Sequence, residues 1–248
     1  MAKQETSLAP AQPAGLTESA VPRFIEKSDA GRETISSADM KIPFLALAQP
    51  LSDVVGAGLV TVGNFYNNVN KESYGTTMDV IVLASRRGAK LNESYNKGNK
   101  LLCSSNDGIT GQGEPGGSCF NCKRNVWYVN AEGKSVKDCS EEGRMLIFFP
   151  GTKAPMAMTL RRTSFKTWKA INSLLAEGDA PTFAKVLRFT SKPSKSNAQN
   201  KAIDVSVVGW VTEADYKMAK HLHEICVPAW SQSTSHDAEP TDPTDATE

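Results

Sequence analysis

The stretch from Cys103 to Cys139 constrains this 248-residue chain more than any other, because four of its five cysteines fall there. Their spacing is C-x15-C-x2-C-x16-C, with Cys119-Phe120-Asn121-Cys122 at the centre. Two intervening residues let both central thiolates face one ion, and Cys103 and Cys139 lie almost symmetrically to either side. Structural Zn²⁺ takes four such ligands with no open position, and an all-cysteine set is common. The intervening residues are rich in Gly, Ser and Asn and have little to bury, so the segment needs an ion to hold a shape. The expectation is a structural zinc on Cys103, Cys119, Cys122 and Cys139. Iron fits the same thiolates, and spacing does not separate the two. A redox Cys-x-x-Cys is disfavoured by the flanking cysteines and the lack of a βαβ pattern. Two disulfides would need an oxidising compartment. A catalytic zinc usually brings His or carboxylate ligands, and no His lies in the stretch.

The ends of the chain read differently from its middle. Residues 1–37 are rich in Ala, Pro, Ser and Thr without a sustained period, and no apolar run follows Met1. This predicts a disordered segment without a signal peptide, and folding in a reducing cytoplasm. No apolar run is long enough for a membrane helix. The formal net charge is +1, but five acids and no bases lie from Asp237 to Glu248. The remainder holds 28 basic and 22 acidic residues, a net +6. A basic body with an acidic tail over residues 231–248 points to an anionic ligand, and to a tail that competes with it or recruits partners.

Between these ends, residues 38–230 read as one domain, with the zinc element inserted at 100–142. Val54 to Val62 predicts a first strand, weakened by Gly56 and Gly58, and Gly63 to Gly75 a polar loop with three aromatics. Met78 to Ser85 is β-branched and apolar, the clearest strand. After the insertion, strands are predicted at Met145 to Phe149 and Met156 to Leu160. A helix starts at Ser164, with Phe165, Trp168, Ile171, Leu174 and Leu175 at helical spacing and Gly178 as its stop. Strands follow at Phe183 to Thr190 and Ala202 to Val211, then a helix from Thr212 to about Cys226, ended by Pro228.

Counting the pair after the insertion as one bent strand gives strand-strand-strand-helix-strand-strand, the order of an OB-like Greek-key β-barrel. That fold binds oligonucleotides on its second and third strands and through the loops joining strands 1–2 and 4–5. The first loop carries Phe65, Tyr66, Lys71 and Tyr74, the second Lys192, Lys195 and Lys201. Aromatics stack on bases of any sequence, worth about 1–3 kcal/mol per base, while lysines follow phosphate. Arg86, Arg87, Arg161, Arg162 and Arg188 flank the strands and are either a basic groove or ordinary solvated charges. One of the adjacent Phe65 and Tyr66 could equally pack in the core. Trp127 and Tyr128 follow the knuckle and either stack on bases or cover the metal. Trp168 and Cys226 read as core residues, His221 and His223 as solvated ones. Gly111-Gln112-Gly113 is too loose for a phosphate-binding fingerprint. With no HExxH, triad or carboxylate pair in sight, a binding protein is expected rather than an enzyme.

Ile42-Pro43-Phe44-Leu45 with Gln49, Gly63-Asn64-Phe65, Cys103-Ser104-Ser105-Asn106-Asp107-Gly108 and the knuckle with Trp127 carry a resemblance over about residues 40–212. The chain resembles phage-encoded single-stranded-DNA-binding proteins, a group that includes a cofactor of a phage RNA polymerase. The resemblance implies sequence-tolerant binding of single-stranded DNA in phage replication, recombination or transcription, in the host cytoplasm. It also implies an acidic tail that contacts replication or transcription enzymes. A homo-oligomer stays open. So do a zinc-containing sequence-specific transcription regulator and a zinc-ribbon adaptor for RNA or protein.

Overall fold

The computed structural model describes residues 43–93, 100–152, 154–195 and 197–232. Segment 1–37 and the acidic run from Asp237 lie outside these residues. β4 (Thr77–Asn92) is the spine of the fold. Along one edge it pairs antiparallel with β10 (Ser140–Phe148), which pairs in turn with β11 (Met156–Arg161). Two shorter partners share its other edge. β12 (Lys185–Pro193) pairs with Thr77 to Ile81, and β5 (Leu101–Ser105) with Ala89 to Asn92. β13 (Lys201–Trp210) completes this side by pairing with β12.

Core residues explain why β4 reads as an unbroken apolar run. Val80 and Val82 face a cluster with Met145, Ile147, Met158, Leu187 and Phe189, closed by Ile171 and Leu175 of α2 (Phe165–Ala176). Ile81 and Leu83 face the opposite way, against Leu146, Phe148, Phe183 and the Ala219–Leu222 side of α3 (Glu213–Gln232). A strand buried on both faces has no polar side to alternate with. Trp168 meets the first cluster, and its indole N–H donates to Ser85 Oγ at 2.8 Å. It lies against Gly143, where a Cβ would come within 2.0 Å of the ring, so only glycine fits.

Several expectations need correction, three of them in the strands. Val54 to Val62 is not a strand: Asp53–Gly56 forms a single helical turn, α1, and Gly58 turns the chain at φ +70. Leu59 and Val60 then both donate to the Val54 carbonyl, folding Val54 and Val60 into a small cluster with Ala48 and Tyr66. The polar loop after it is a small sheet. β1 (Leu45–Leu47) pairs with β2 (Phe65–Asn67), and β2 with β3 (Ser73–Gly75). The two strands after the insertion are an antiparallel hairpin, not one bent strand.

The closed barrel does not form among the described strands. The segment Phe44 to Gln49 stands between β11 and β13. Phe44 bridges to Ala157 of β11, and the Gln49 side-chain amide exchanges two hydrogen bonds with the Lys201 backbone of β13, at 3.0 and 2.8 Å. The result is mainly β, with antiparallel sheets and a few helices. No described helix is long and apolar enough to cross a membrane. α3 also runs on through Pro228, where the sequence predicts a stop.

Candidate nucleic-acid interface

The cysteine segment is built onto the far end of β4. β5 continues to β6 (Thr110–Gly113), which pairs with β7 (Gly117–Ser118). Asp107 holds the turn between β5 and β6, accepting at Oδ1 from the Ile109 and Thr110 amides and from Ser105 Oγ. These bonds, the Thr110 amide foremost, lower its carboxyl pKa. At the knuckle, Asn125 donates from its amide to the Cys122 carbonyl at 2.9 Å and from its side chain to the Cys119 carbonyl at 2.7 Å. Both arms return to it. Cys119 N–H donates to Ile109 O, and Cys139 N–H to Arg124 O. A Cβ at Gly111 would lie 2.9 Å from Cys103 Sγ, so the glycine leaves room for that thiol.

The four thiols are free. Burial foremost, and then the neighbouring Cys119, push the Cys139 thiol up to about 11, with Lys137 opposing. Among the described residues no group of three or more His, Cys, Asp or Glu side chains adopts a metal-holding arrangement. The donor set itself suits a soft divalent ion, since neighbouring thiolates repel until a cation lies between them. Beyond the knuckle, β8 (Tyr128–Val129) pairs with β9 (Ser135–Val136). Tyr128 donates to Asp138 Oδ1 at 2.6 Å, and Arg124 pairs with the same carboxylate. Trp127 and Tyr128 both stand exposed. Trp127 is 65% exposed, with the Lys137 ammonium 6.0 Å from its ring centre. Phe120 inside the knuckle is 91% exposed, a contact candidate that sequence reading passed over although the knuckle spacing marks it as a loop tip.

The aromatics of 65–74 go elsewhere. Adjacent strand residues point to opposite faces. Phe65 therefore enters the main core and Tyr66 the small cluster, both buried, so neither offers a ring to a base. Tyr74 packs on Phe149, ring centres 4.9 Å apart, and Lys71 Nζ donates to the Asn68 carbonyl. Arg188 forms a two-pronged pair with Asp79 across β4 and β12, and Lys192 pairs with Asp204. Arg87 pairs with Glu141, while Arg162 and Lys195 are exposed. Lys201 holds Gln49 through its backbone. His223 is not solvated, since its Nδ1 lies 2.9 Å from the Leu83 carbonyl.

The register collects a second set of residues. Arg86 stands opposite Arg144, Gly88 opposite Glu142, and Glu142 opposite Arg161. With Lys90 two residues further along the same face, four cations share one face with Glu142, and three of them meet its carboxylate. Glu142 is 1% exposed and is met by Arg144, by Arg161 Nε at 2.8 Å and by Lys90 at 3.9 Å. Burial alone would raise its pKa, but Arg161, Lys90 and Arg144 together outweigh that and lower it. Arg144 also donates to Asn106 at 2.7 Å and lies across Gly88, where a Cβ would be 3.0 Å from its Nε. Sequence reading named Arg86 and Arg161 but missed Lys90 and Arg144, which only the β4–β10 register adds to them.

No curated protein and no solved structure matches the chain. A family model matches it over residues 14–102 and 103–228, and the chain belongs to the Pam3 phage gp34-like protein family.

Proposed function

We propose that this phage protein binds single-stranded DNA with little sequence preference. The observation that carries the reading is the gathering of Arg86, Lys90, Arg144 and Arg161 beside the buried Glu142, among the described residues, on the face of β4, β10 and β11. Such a face matches a polyanion, and phosphate contacts carry no sequence information. Connectivity supports it. Taken in chain order, β4, β10, β11, α2, β12 and β13 follow the order of an OB barrel left open, with β4 between β10 and β12. In that frame the cysteine segment is the loop between the first and second strands, and the turn bearing Lys195 joins the fourth and fifth. Those are the loops an OB-type protein turns to its ligand. Phe120, Trp127 and Tyr128 are then the stacking groups.

A structural zinc on Cys103, Cys119, Cys122 and Cys139 fits the same reading by holding that loop in one shape. The protein is a binding partner in phage replication, recombination or transcription in the host cytoplasm, not an enzyme. The acidic tail recruits the enzymes of those processes. Equilibrium titration against single-stranded DNA, duplex DNA and RNA of equal length, at two salt concentrations, tests the proposal. Single-stranded DNA should bind most tightly, with affinity falling steeply as salt rises. A preference for one duplex would favour a sequence-specific regulator, and no affinity for any nucleic acid a protein adaptor.

A further inference from the structure

β13 pairs with β12 along one side, and among the described residues no strand pairs with its other side. The first half of that outer edge is covered. The Gln49 side chain takes both backbone groups of Lys201, and Thr167 Oγ1 of α2 donates to the Ile203 carbonyl at 3.2 Å. Outward backbone groups recur at every second residue of an antiparallel strand, so Val205 and Val207 come next. Beyond Val207 the pairing with β12 slips by one residue, which ends the regular edge. The side chains here are apolar and open: Val207 and Val208 are exposed, and Trp210 is 67% exposed. No charged residue falls from Val205 to Thr212. Edge strands are ordinarily guarded by lysines, prolines or a covering element. The run Val205 to Trp210 reads V-S-V-V-G-W, with neither lysine nor proline.

We propose that a second copy of the chain docks on this edge, β13 against β13 in antiparallel, with the two-fold axis at Ser206. Charge selects the occupant. Outside residues 237–248 the chain carries a net +6, so two copies repel unless they meet where charge is absent or cancelled. The β12–β13 side meets that condition, because Arg188 pairs with Asp79 and Lys192 with Asp204 beside the uncharged run. A charged peptide finds no opposite charge in the run itself, whereas a copy presents the same neutral edge. Geometry selects the register. Only with Ser206 facing its own counterpart does Val205 of each copy meet Val207 of the other. The outward N–H and C=O groups of both residues are then satisfied in both copies, and the valines form cross-strand apolar pairs. An edge this short buries less than the roughly 800 Å² per partner of a standard interface, so the dimer is weak, with a Kd of about 10–100 µM. The inference does not rest on the single-stranded-DNA reading, and its test contains no nucleic acid.

The test is sedimentation equilibrium of the full chain over concentrations bracketing that constant, with Ser206→Lys and Ser206→Cys beside the wild type. The wild type should pass from monomer to dimer. Ser206→Lys sets two like charges opposite each other at the axis and should weaken the dimer at least about tenfold. Its thermal midpoint should match the wild type, since Ser206 is exposed. Ser206→Cys places two thiols across a non-hydrogen-bonded pair, where Cα atoms lie about 4.5 Å apart and a disulfide can close. Oxidised glutathione should therefore link two copies at position 206, located by peptide mass. If Ser206→Lys does not fold, the cysteine variant decides alone. The proposal is overturned if the wild type stays monomeric throughout, if folded Ser206→Lys dimerises like the wild type, or if Ser206→Cys is not linked at 206. A monomer whose Val205 and Val207 amides resist hydrogen exchange would also overturn it, and would assign the edge to another segment of the same chain.

Discussion

Lys185 begins β12, and its buried side chain turns back to the end of α2, where the ammonium donates to the Leu174 and Glu177 carbonyls. The last carbonyls of a helix have no partner within it, and a cation there also meets the negative end of the helix dipole. Lys185→Met keeps most of the length and apolar stem but strands two carbonyls near the core. We expect a loss of about 1–3 kcal/mol, visible as a thermal midpoint several degrees lower. An unchanged midpoint would show that water replaces the ammonium without cost. Single residues were unevenly legible beforehand. Trp168 could be assigned to the core because its neighbours on α2 repeat at helical spacing. Phe65 and Tyr66 could not, because Asn64, Asn67 and Asn68 around them read as loop. Asn67 and Asn68 serve the backbone instead: the Asn68 side chain accepts from Phe44 N–H, and that of Asn67 from Val69 N–H. Polar residues that satisfy main-chain groups leave no trace in a hydrophobic pattern.

At the scale of elements, β4 was plain because both its faces are buried, yet its length was not. The run Arg86-Arg87-Gly88 looks like the end of a strand and is its middle. Arg86 is tied to α3 and Arg87 to Glu141, while Gly88 makes room for Arg144. Charges paired across strands can extend a sheet that an apolar count would stop. The cysteine segment was legible as a unit through its spacing, and its short hairpins were not, since Gly-rich pairs such as Thr110–Gly113 carry little strand propensity. Beyond β5 most of its hydrogen bonds stay within the segment and it buries little, so an ion should be what makes it cooperative. Elemental analysis should find one metal per chain in protein purified without chelator. Cys122→Ser should lose the metal and render the amides of 103–139 exchange-labile while the core around Val80 and Ile147 keeps its protection. Metal-free wild-type protein with a protected segment would contradict this.

For the molecule as a whole, the single-stranded-DNA proposal assigns two kinds of contact, one to the cation-rich face and one to the exposed aromatics of the cysteine segment. Arg86, Lys90, Arg144 and Arg161 would hold phosphate, and Phe120, Trp127 and Tyr128 would stack on bases. The open sheet was not foreseeable from element order, because what separates β11 from β13 is a bridge at Phe44 and a side-chain amide at Gln49. The mainly β character was legible, whereas Val54 to Val62 was misread as the first strand. Under the proposed OB order, the ligand-facing loop is then the cysteine segment between β4 and β10 instead of the buried aromatics of 65–74. The most direct measurement is photocrosslinking of the full chain to an oligo-dT carrying iododeoxyuridine at successive positions, with the adducts mapped by peptide. The account predicts adducts on Phe120, Trp127 or Tyr128 and none on Phe65 or Tyr66. Adducts confined to the exposed Val207–Trp210 side of β13, or none on the cysteine segment while the strand is bound, would contradict it.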